Sequence, residues 1–509
     1  MSKIIFGKDD TPNIINISYK NGEIYIYSET DTGLMCSSEN FTPYILTQFE
    51  GKTSKLLEGN QSFKYLTNIE DKDKWKKMWG EDISKARTIE ESFMIKEGVT
   101  YFKNTEMVNV SILSFDIETL SLNPEERGAG VVLISNTYRN RDKVIRKMFD
   151  VKEYESEGQM LKEWVKWVRQ VDPSIMCGHN IFHFDIPYLN SRYFKFFEKD
   201  LQLGRDGSQI DIEERTSKFR KDGSQSYDYH NAYIHGRELI DTMFLSYKYD
   251  IKRKFPSYGL KPIIQHLGFE KKGRIKWDFE QWSVKDTYKN NEKWEQFKQY
   301  ALDDADDALK LFDHMAAAFF YFNRSVPKKF QQMINEATGS QMNSILVRAY
   351  LQDGHSIAKA DRMDHIQGAI SFGIPGIYDN VFKIDVASLY PSIIRQYQIY
   401  NPEKDPKKYF LEMIEYFTIE RLENKRLAKE TKKQYYSDIE QSQKIAINSG
   451  YGFLAAPGLN YNYKFGGSEV TRHGREILAK ACQMATSRDI YDWKKLVGDN
   501  EEEESNVAE

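Results

Sequence analysis

The chain has 509 residues, 40% hydrophobic and 14% aromatic, which is enough apolar material for three or four domain cores and too much for a disordered chain. Its 72 basic and 76 acidic residues give a net charge of −4, so bulk charge does not advertise nucleic acid, although local basic surfaces can still meet phosphates. No apolar run is long enough to span a bilayer, and three widely spaced cysteines (Cys36, Cys177, Cys482) argue against a disulfide framework or a Cys-type zinc site. The opening residues, Met1 to Lys8, are too poor in apolar side chains for a secretory signal, and a reducing, soluble, cytoplasmic setting is expected.

In chain order, residues 14 to 28 alternate β-formers on either side of Asn21-Gly22, a type I′ hairpin signal, so the first hundred residues read as β-rich. Val110 to Phe115 reads as a buried strand. A helix follows near 157–170, then a strand from Ser174 to Gly178. Alternating strands and helices with acids at strand ends predict an α/β domain from about 109 to 320. Residues 203 to 229, rich in Gly, Ser, Asp, Lys and Arg, predict an inserted surface loop or hairpin. A further strand is expected over Phe382–Val386, helices over 403–443, and a frayed acidic tail from Asp499.

Two constellations carry chemistry. In the first, Asp116 and Glu118 lie two residues apart at the end of a hydrophobic strand and so share a face, where they repel unless a cation or proton sits between them. Asn180 to Asp185 follows the second strand, with His183 expected to be packed or solvated rather than a ligand. On the helix through Tyr300-Ala301-Leu302-Asp303-Asp304, Asp304 borders the apolar face one turn after Tyr300, while Asp303 and Asp307 are expected on a solvated face. Taken singly, these pieces read as ordinary strand ends and turns. Together, Asp116, Glu118, Asp185 and Asp304 can hold two divalent cations about 3.5–4 Å apart, with the Tyr300 hydroxyl orienting a water.

In the second constellation, Asp385 and the Val386 carbonyl can ligate Mg²⁺, the amides that follow, through Ser388 and Leu389, can cradle a triphosphate, and Tyr390 can pack under a sugar. Lys444 and Asn448 stand one turn apart on a helix expected to end at Gly450 and Gly452, with Tyr451 between them. Arg421 and Lys425 repeat that spacing upstream. Alone, these read as a strand-to-helix turn stopped by Pro391 and as a solvated helix face.

The ordered set resembles family B DNA polymerases, most closely those of T-even-type bacteriophages. Asp116-Ile117-Glu118, Asn180–Asp185 and Tyr300 with Asp304 resemble the three exonuclease motifs. Asp385–Ser392 resembles the first polymerase motif, and Lys444–Gly452 the fingers motif Lys-x-x-x-Asn-Ser-x-Tyr-Gly. The resemblance implies a multidomain α/β and α+β fold. It would comprise a β-rich N-terminal domain (1–108, with 320–378 returning to it), a ribonuclease-H-like 3′–5′ exonuclease domain (109–319), palm (379–409), helical fingers (410–452) and a second, truncated palm part (453–509). It also implies two Mg²⁺ per site and triphosphate binding by Arg421 and Lys425. Tyr390 would act as a gate against ribonucleotides, Asn448 and Tyr451 would shape the nascent base-pair pocket, and the 203–229 insertion would lie near the strand-separating hairpin. The family's Tyr-Gly-Asp-Thr-Asp-Ser hairpin is missing, and Val497-Gly498-Asp499-Asn500 reads as a polar turn. The expectation is therefore the N-terminal subunit of a split replicative polymerase in the host bacterial cytoplasm. It would act on primer-template and dNTP, and a second chain would bring the missing Asp, the thumb and any sliding-clamp contact. The alternatives are a stand-alone exonuclease with a vestigial polymerase half, a non-enzymatic DNA-binding remnant, and an interrupted longer reading frame.

Overall fold

The computed structural model describes residues 3–8, 11, 13–30, 33–220, 225–361, 368–371, 375–386, 388–490 and 492. Strands β1 (Ile14–Lys20) and β2 (Glu23–Thr30) pair antiparallel around Asn21 and Gly22, whose φ angles of 52° and 87° are those a type I′ turn requires. β3 (Gly33–Asn40) extends that sheet. A second small sheet has the order β5-β6-β4-β7, from β4 (Tyr44–Thr47), β5 (Ser54–Leu56), β6 (Tyr65–Asn68) and β7 (Ile83–Ser84). Helix α1 (Ile89–Glu97) follows, capped by the Thr88 side chain and closed by Gly98 in the left-handed region.

The central sheet contains β8 (Ile112–Thr119), β9 (Val131–Asn140), β10 (Lys143–Asp150), β11 (Ile175–Gly178) and β14 (Glu238–Asp241), in the order β10-β9-β8-β11-β14. β8 pairs antiparallel with β9 and parallel with β11. Helix α2 (Glu157–Val171) connects β10 to β11, and α3 (Asp185–Phe197) follows β11. The hairpin of β12 (Asp211–Arg220) and β13 (Ser226–Tyr233) occupies the expected insertion. It docks on the N-terminal region through Arg87 and Ser217, 3.0 Å apart.

After α4 (Leu260–His266) comes the long helix α5 (Asn291–Met315). Neighbouring residues of β9 show how the helices cover the sheet. Asn136 accepts from Trp164 of α2 at 3.0 Å, while Thr137 donates to Asp306 of α5 at 2.7 Å. Successive strand residues face opposite ways, so α2 and α5 lie on opposite faces and the sheet is sandwiched.

Helix α6 (Thr338–Gln352) packs on α1, and Phe63 pairs with Ile357, joining this later segment to the N-terminal region. The junction holds buried charge: Lys328 bridges Glu91 at 2.7 Å and Glu336 at 2.8 Å. Helices α7 (Leu389–Gln396), α8 (Tyr409–Thr431), α9 (Gln434–Ala455) and α10 (Lys464–Thr486) complete the described chain, with α8 and α9 forming a helical hairpin. Among the described residues no helix is long and apolar enough to cross a membrane.

Two expectations fail here. Phe382–Val386 forms no strand, because no described strand lies alongside to take its backbone N–H and C=O groups. Nor does the helix carrying Lys444 end at its glycines. It runs through Gly450 and Gly452 to Ala455, and a Cβ on Gly450 would come within 2.9 Å of Ile414 of α8, so that glycine serves close helix packing. The acidic tail, with Asp499 and Asn500, lies outside the described residues.

Candidate active site

β8 carries Asp116 and Glu118 on one face, both half-buried, just before a register shift at the strand end. α5 crosses the sheet and brings Asp304 to them. Carboxylate oxygens of Asp116, Glu118 and Asp304 all lie within 4.8 Å of one another.

Asp185, at the start of α3, reaches the same strand from the other side and accepts from the Ile117 amide at 3.2 Å. Its approach depends on a tight turn. Asn180 takes a φ of 68°, and a Cβ on Gly178 would fall 2.6 Å from the Phe115 carbonyl oxygen, so only glycine lets the turn close on β8. Asp241, fully buried at the end of β14, holds the turn together. Its Oδ1 accepts from the amides of Asn180 (2.9 Å) and Met243 (2.8 Å), and its Oδ2 from that of Phe182 (3.3 Å). His183 is exposed, as expected.

Tyr300 is buried and stacks on Phe297 with ring centroids 5.5 Å apart. Its hydroxyl accepts from the Lys261 ammonium, which also lies 3.3 Å from Asp304 Oδ2 and 4.1 Å from the Tyr300 ring centroid. The one-turn relation of Tyr300 to Asp304 is thus bridged by a lysine from α4. Sequence reasoning missed Lys261 and Asp241. The signal for Asp241 was an acid ending a Leu-Ile strand and capping the helix Thr242–Tyr249.

Gathering these acids perturbs them. Burial, and then the neighbouring Asp185, Glu118 and Asp304, raise Asp116 well above the usual carboxylate range. Burial and the Asp304 charge push Glu118 up to about 8. Burial pushes Asp185 up to about 7, against the opposing hydrogen bond from the Ile117 amide. Asp304 is raised by burial, with Lys261 and Arg274 opposing. Such a cluster attracts a proton or a cation.

The rest of the acid run on α5 is not the solvated face expected. Asp303, Asp306 and Asp307 are all buried. Each is paired: Asp303 with Lys271 at 3.1 Å, Asp306 with Arg146 at 2.9 Å, and Asp307 with Arg274 and, within the same helix, with Lys310 at 3.0 Å. Helical periodicity marks polar positions but not the basic side chains that neighbouring segments lay over them.

In the C-terminal part the predicted residues divide. Ser388, in the left-handed region at φ 53°, accepts from Arg421 Nη1 at 2.8 Å, and Arg421 Nε pairs with Glu440 at 2.7 Å. Leu389 and Tyr390 open α7, and the Tyr390 ring meets Tyr451 at 4.9 Å between centroids. Lys444 is half-buried, and Lys425 and Asn448 are exposed. Asp385 and Val386 lie exposed in the irregular segment. Among the described residues, the only group of three or more potential metal ligands that meet this closely is Asp116, Glu118 and Asp304.

The central sheet, with Asp116, Glu118 and Asp185 but not Asp304, lies within the segment that a comparison with known families picks out. Residues 88–263 match the family model described as DNA polymerase family B, exonuclease domain. The family B DNA polymerase of the archaeon Pyrobaculum calidifontis superposes with a TM-score of 0.72 at 16% identity, over 93% of this chain and 71% of that one. This is a family B DNA polymerase fold with that family's exonuclease domain. Curated relatives of this polymerase fold include the DNA polymerase of Pyrococcus glycovorans, 26% identical over 76% of this chain and 52% of the relative. Another is the DNA polymerase of Thermococcus sp. strain 9oN-7, 24% identical over 80% of this chain and 55% of the relative. The chain spans about half the length of these archaeal relatives.

Proposed function

We propose that this chain is the exonuclease-bearing half of a replicative DNA polymerase, trimming DNA 3′ ends at the acid cluster and contributing one side of a nucleotide-addition site through its C-terminal helices. The observation that carries the reading is the meeting of Asp116, Glu118 and Asp304 within 4.8 Å, with Asp185 alongside. The donors are all carboxylate oxygens, a set suited to hard cations such as Mg²⁺, and these four acids would hold the ions. When bound, the ions supply Lewis-acid polarisation and charge neutralisation for phosphodiester hydrolysis. Tyr300, fixed by Phe297 and Lys261, presents its hydroxyl beside Asp304 to orient the attacking water. Lys261 offsets part of the charge on all three clustered acids. Replacing Asp116 and Glu118 together by Ala should abolish Mg²⁺-dependent degradation of single-stranded DNA. Degradation that continues unchanged places the activity elsewhere.

For nucleotide addition, Asp385 and the Val386 carbonyl would hold Mg²⁺. Ser388, Leu389, Arg421, Lys425 and Lys444 would receive the triphosphate, with Tyr390, Asn448 and Tyr451 shaping the pocket. The Ser388–Arg421 contact and the Tyr390–Tyr451 pair support this reading. So does the exposed apolar segment beside Asp385, where Phe382 is 92% and Ile384 71% accessible. A second palm carboxylate and a thumb must complete such a site. We propose that a second polypeptide of a split enzyme, carrying the family's Tyr-Gly-Asp-Thr-Asp-Ser hairpin, supplies these parts for work on primer-template and dNTP. Mixing this chain with one carrying that hairpin and thumb should start templated primer extension. No extension rejects the split. The exposure of Asp385 favours a second reading, an exonuclease with a vestigial polymerase half, and extension unaffected by Asp385→Ala in the mixture would establish it.

A further inference from the structure

We propose that Arg274 is a positioning residue of the acid cluster, which grips Asp304 from behind together with Asp307 and so turns Asp304 toward the metal position. The inference rests on the exonuclease reading and adds a residue which that reading does not use.

α5 buries Asp303, Asp304, Asp306 and Asp307 within two turns, yet only Asp304 meets Asp116 and Glu118. Something must separate the one useful carboxylate from its neighbours. The Arg274 guanidinium does so. Its side chain is only 4% exposed, and it pairs with Asp304 through Oδ1 and with Asp307 through Oδ2. The other Asp304 oxygen, Oδ2, is the one that lies 3.3 Å from Lys261, on the side of the cluster. The two oxygens of Asp304 therefore have different partners, one in the protein interior and one at the site.

Arginine suits this task. Its rigid planar fork can hold two carboxylates at once, which a flexible ammonium cannot do with fixed geometry. Without it, Asp304 and Asp307 are like charges one turn apart and drive each other away. The loop that presents Arg274 is anchored on both sides. Lys271 pairs with Asp303 at 3.1 Å, the Arg274 amide donates to the Lys271 carbonyl at 3.1 Å, and Trp277 packs on Phe297 at 4.9 Å between centroids. Arg274 is thus held where it is, and Asp304 conforms to it.

The test uses the full chain, with Mn²⁺ binding read by electron paramagnetic resonance in the absence of DNA, and kcat and KM measured separately on a single-stranded oligonucleotide. Arg274→Gln should weaken Mn²⁺ binding by roughly 10- to 100-fold, the usual cost of losing a group that orients a metal ligand. It should lower kcat and leave KM unchanged. Arg274→Lys, which keeps the charge without the fork, should fall between the two. Arg146→Gln, which releases Asp306 on the same helix and leaves the Arg274 loop untouched, should bind Mn²⁺ as the wild type does. Equal Mn²⁺ affinity in Arg274→Gln and Arg146→Gln overturns the proposal. Tighter binding in Arg274→Gln also overturns it, since Arg274 would then compete with the ion. If Arg274→Gln does not fold, Arg274→Lys against wild type makes the same comparison. A wild-type chain that neither binds Mn²⁺ nor degrades DNA refutes the exonuclease reading itself.

Discussion

The acid cluster and the region around Asp385 both present carboxylates from sequence motifs, yet they are finished to different degrees. At the cluster the folded chain itself brings the acids together. Asp116, Glu118 and Asp304 meet one another, Lys261 pairs with Asp304, Asp185 is bonded to the strand, and Asp303, Asp306 and Asp307 of α5 have basic partners. Around Asp385 the backbone is irregular, Phe382 and Ile384 face solvent, and Arg421 is engaged by Glu440. The difference follows from topology. One sheet and the helices over it supply all the groups of the cluster, whereas the later segment has no strand beside it among the described residues. A site built on one sheet can be complete by itself.

The comparison breaks most readily at Asp241. If the cluster is self-contained, its weakest joint is the turn that carries Asp185. Asp241→Ala leaves buried amides of Asn180, Phe182 and Met243 without acceptors, at roughly 1–3 kcal/mol each, so a loss of about 3 kcal/mol or more is expected. Thermal unfolding should show this drop, and DNA degradation should collapse with it. A stable, active Asp241→Ala chain would mean that Asp185 is placed by other means.

A smaller effect should appear in the pH dependence of stability. Glu118 is pushed up to about 8 and Asp185 up to about 7. Between the ordinary carboxylate range and those values the folded chain binds protons that the unfolded chain has lost, so folding weakens as pH rises through the interval. The melting temperature in chelator should therefore fall from about pH 5 to about pH 8. Excess Mg²⁺ should cancel the fall by replacing the protons, and Glu118→Gln should flatten it. A metal-free chain whose stability is indifferent to pH over this range would show that the acids are not forced together.

The same contrast explains what sequence could disclose. Asp116 and Glu118 were legible because strand period alone puts them on one face, and Asp304 because helical period sets it at the apolar border. The Asn21-Gly22 turn was legible because only a few dipeptides accept its backbone. Lys261 and Arg274 were not legible, because nothing local marks which lysine or arginine of a polar loop will fold over an acid on another element. The same blindness turned Asp303 and Asp307 into a solvated face. Phe382–Val386 failed for a different reason. Its alternation is that of a strand, but a strand exists only where a second one supplies hydrogen-bond partners, and pattern cannot say whether that partner is present.

That segment gives the next prediction. Phe382 contributes little to this chain as it stands, so Phe382→Ser should shift its stability by no more than about 0.5 kcal/mol, as at ordinary surface positions. The same substitution should impair primer extension by the completed polymerase while leaving exonuclease activity intact. A large loss of stability in this chain alone would mean the segment is already packed, and the region would be more finished than the comparison holds.

The smallest effect concerns Arg421. It pairs with Glu440 at 2.7 Å, and both side chains keep some exposure, 17% and 19%. An anionic triphosphate arriving at Ser388 has to draw Arg421 from that carboxylate, so Glu440 weakens the first contact with nucleotide. Glu440→Gln keeps the shape and removes the charge, and should tighten dNTP binding to this chain, read by calorimetry, by roughly fivefold or less, which is what a partly exposed ion pair is worth. Arg421→Ala should weaken binding in the same assay, and the double variant should match Arg421→Ala, because Glu440 acts only through the guanidinium. Weaker binding in Glu440→Gln would give the carboxylate the opposite part, that of holding Arg421 in place for the triphosphate.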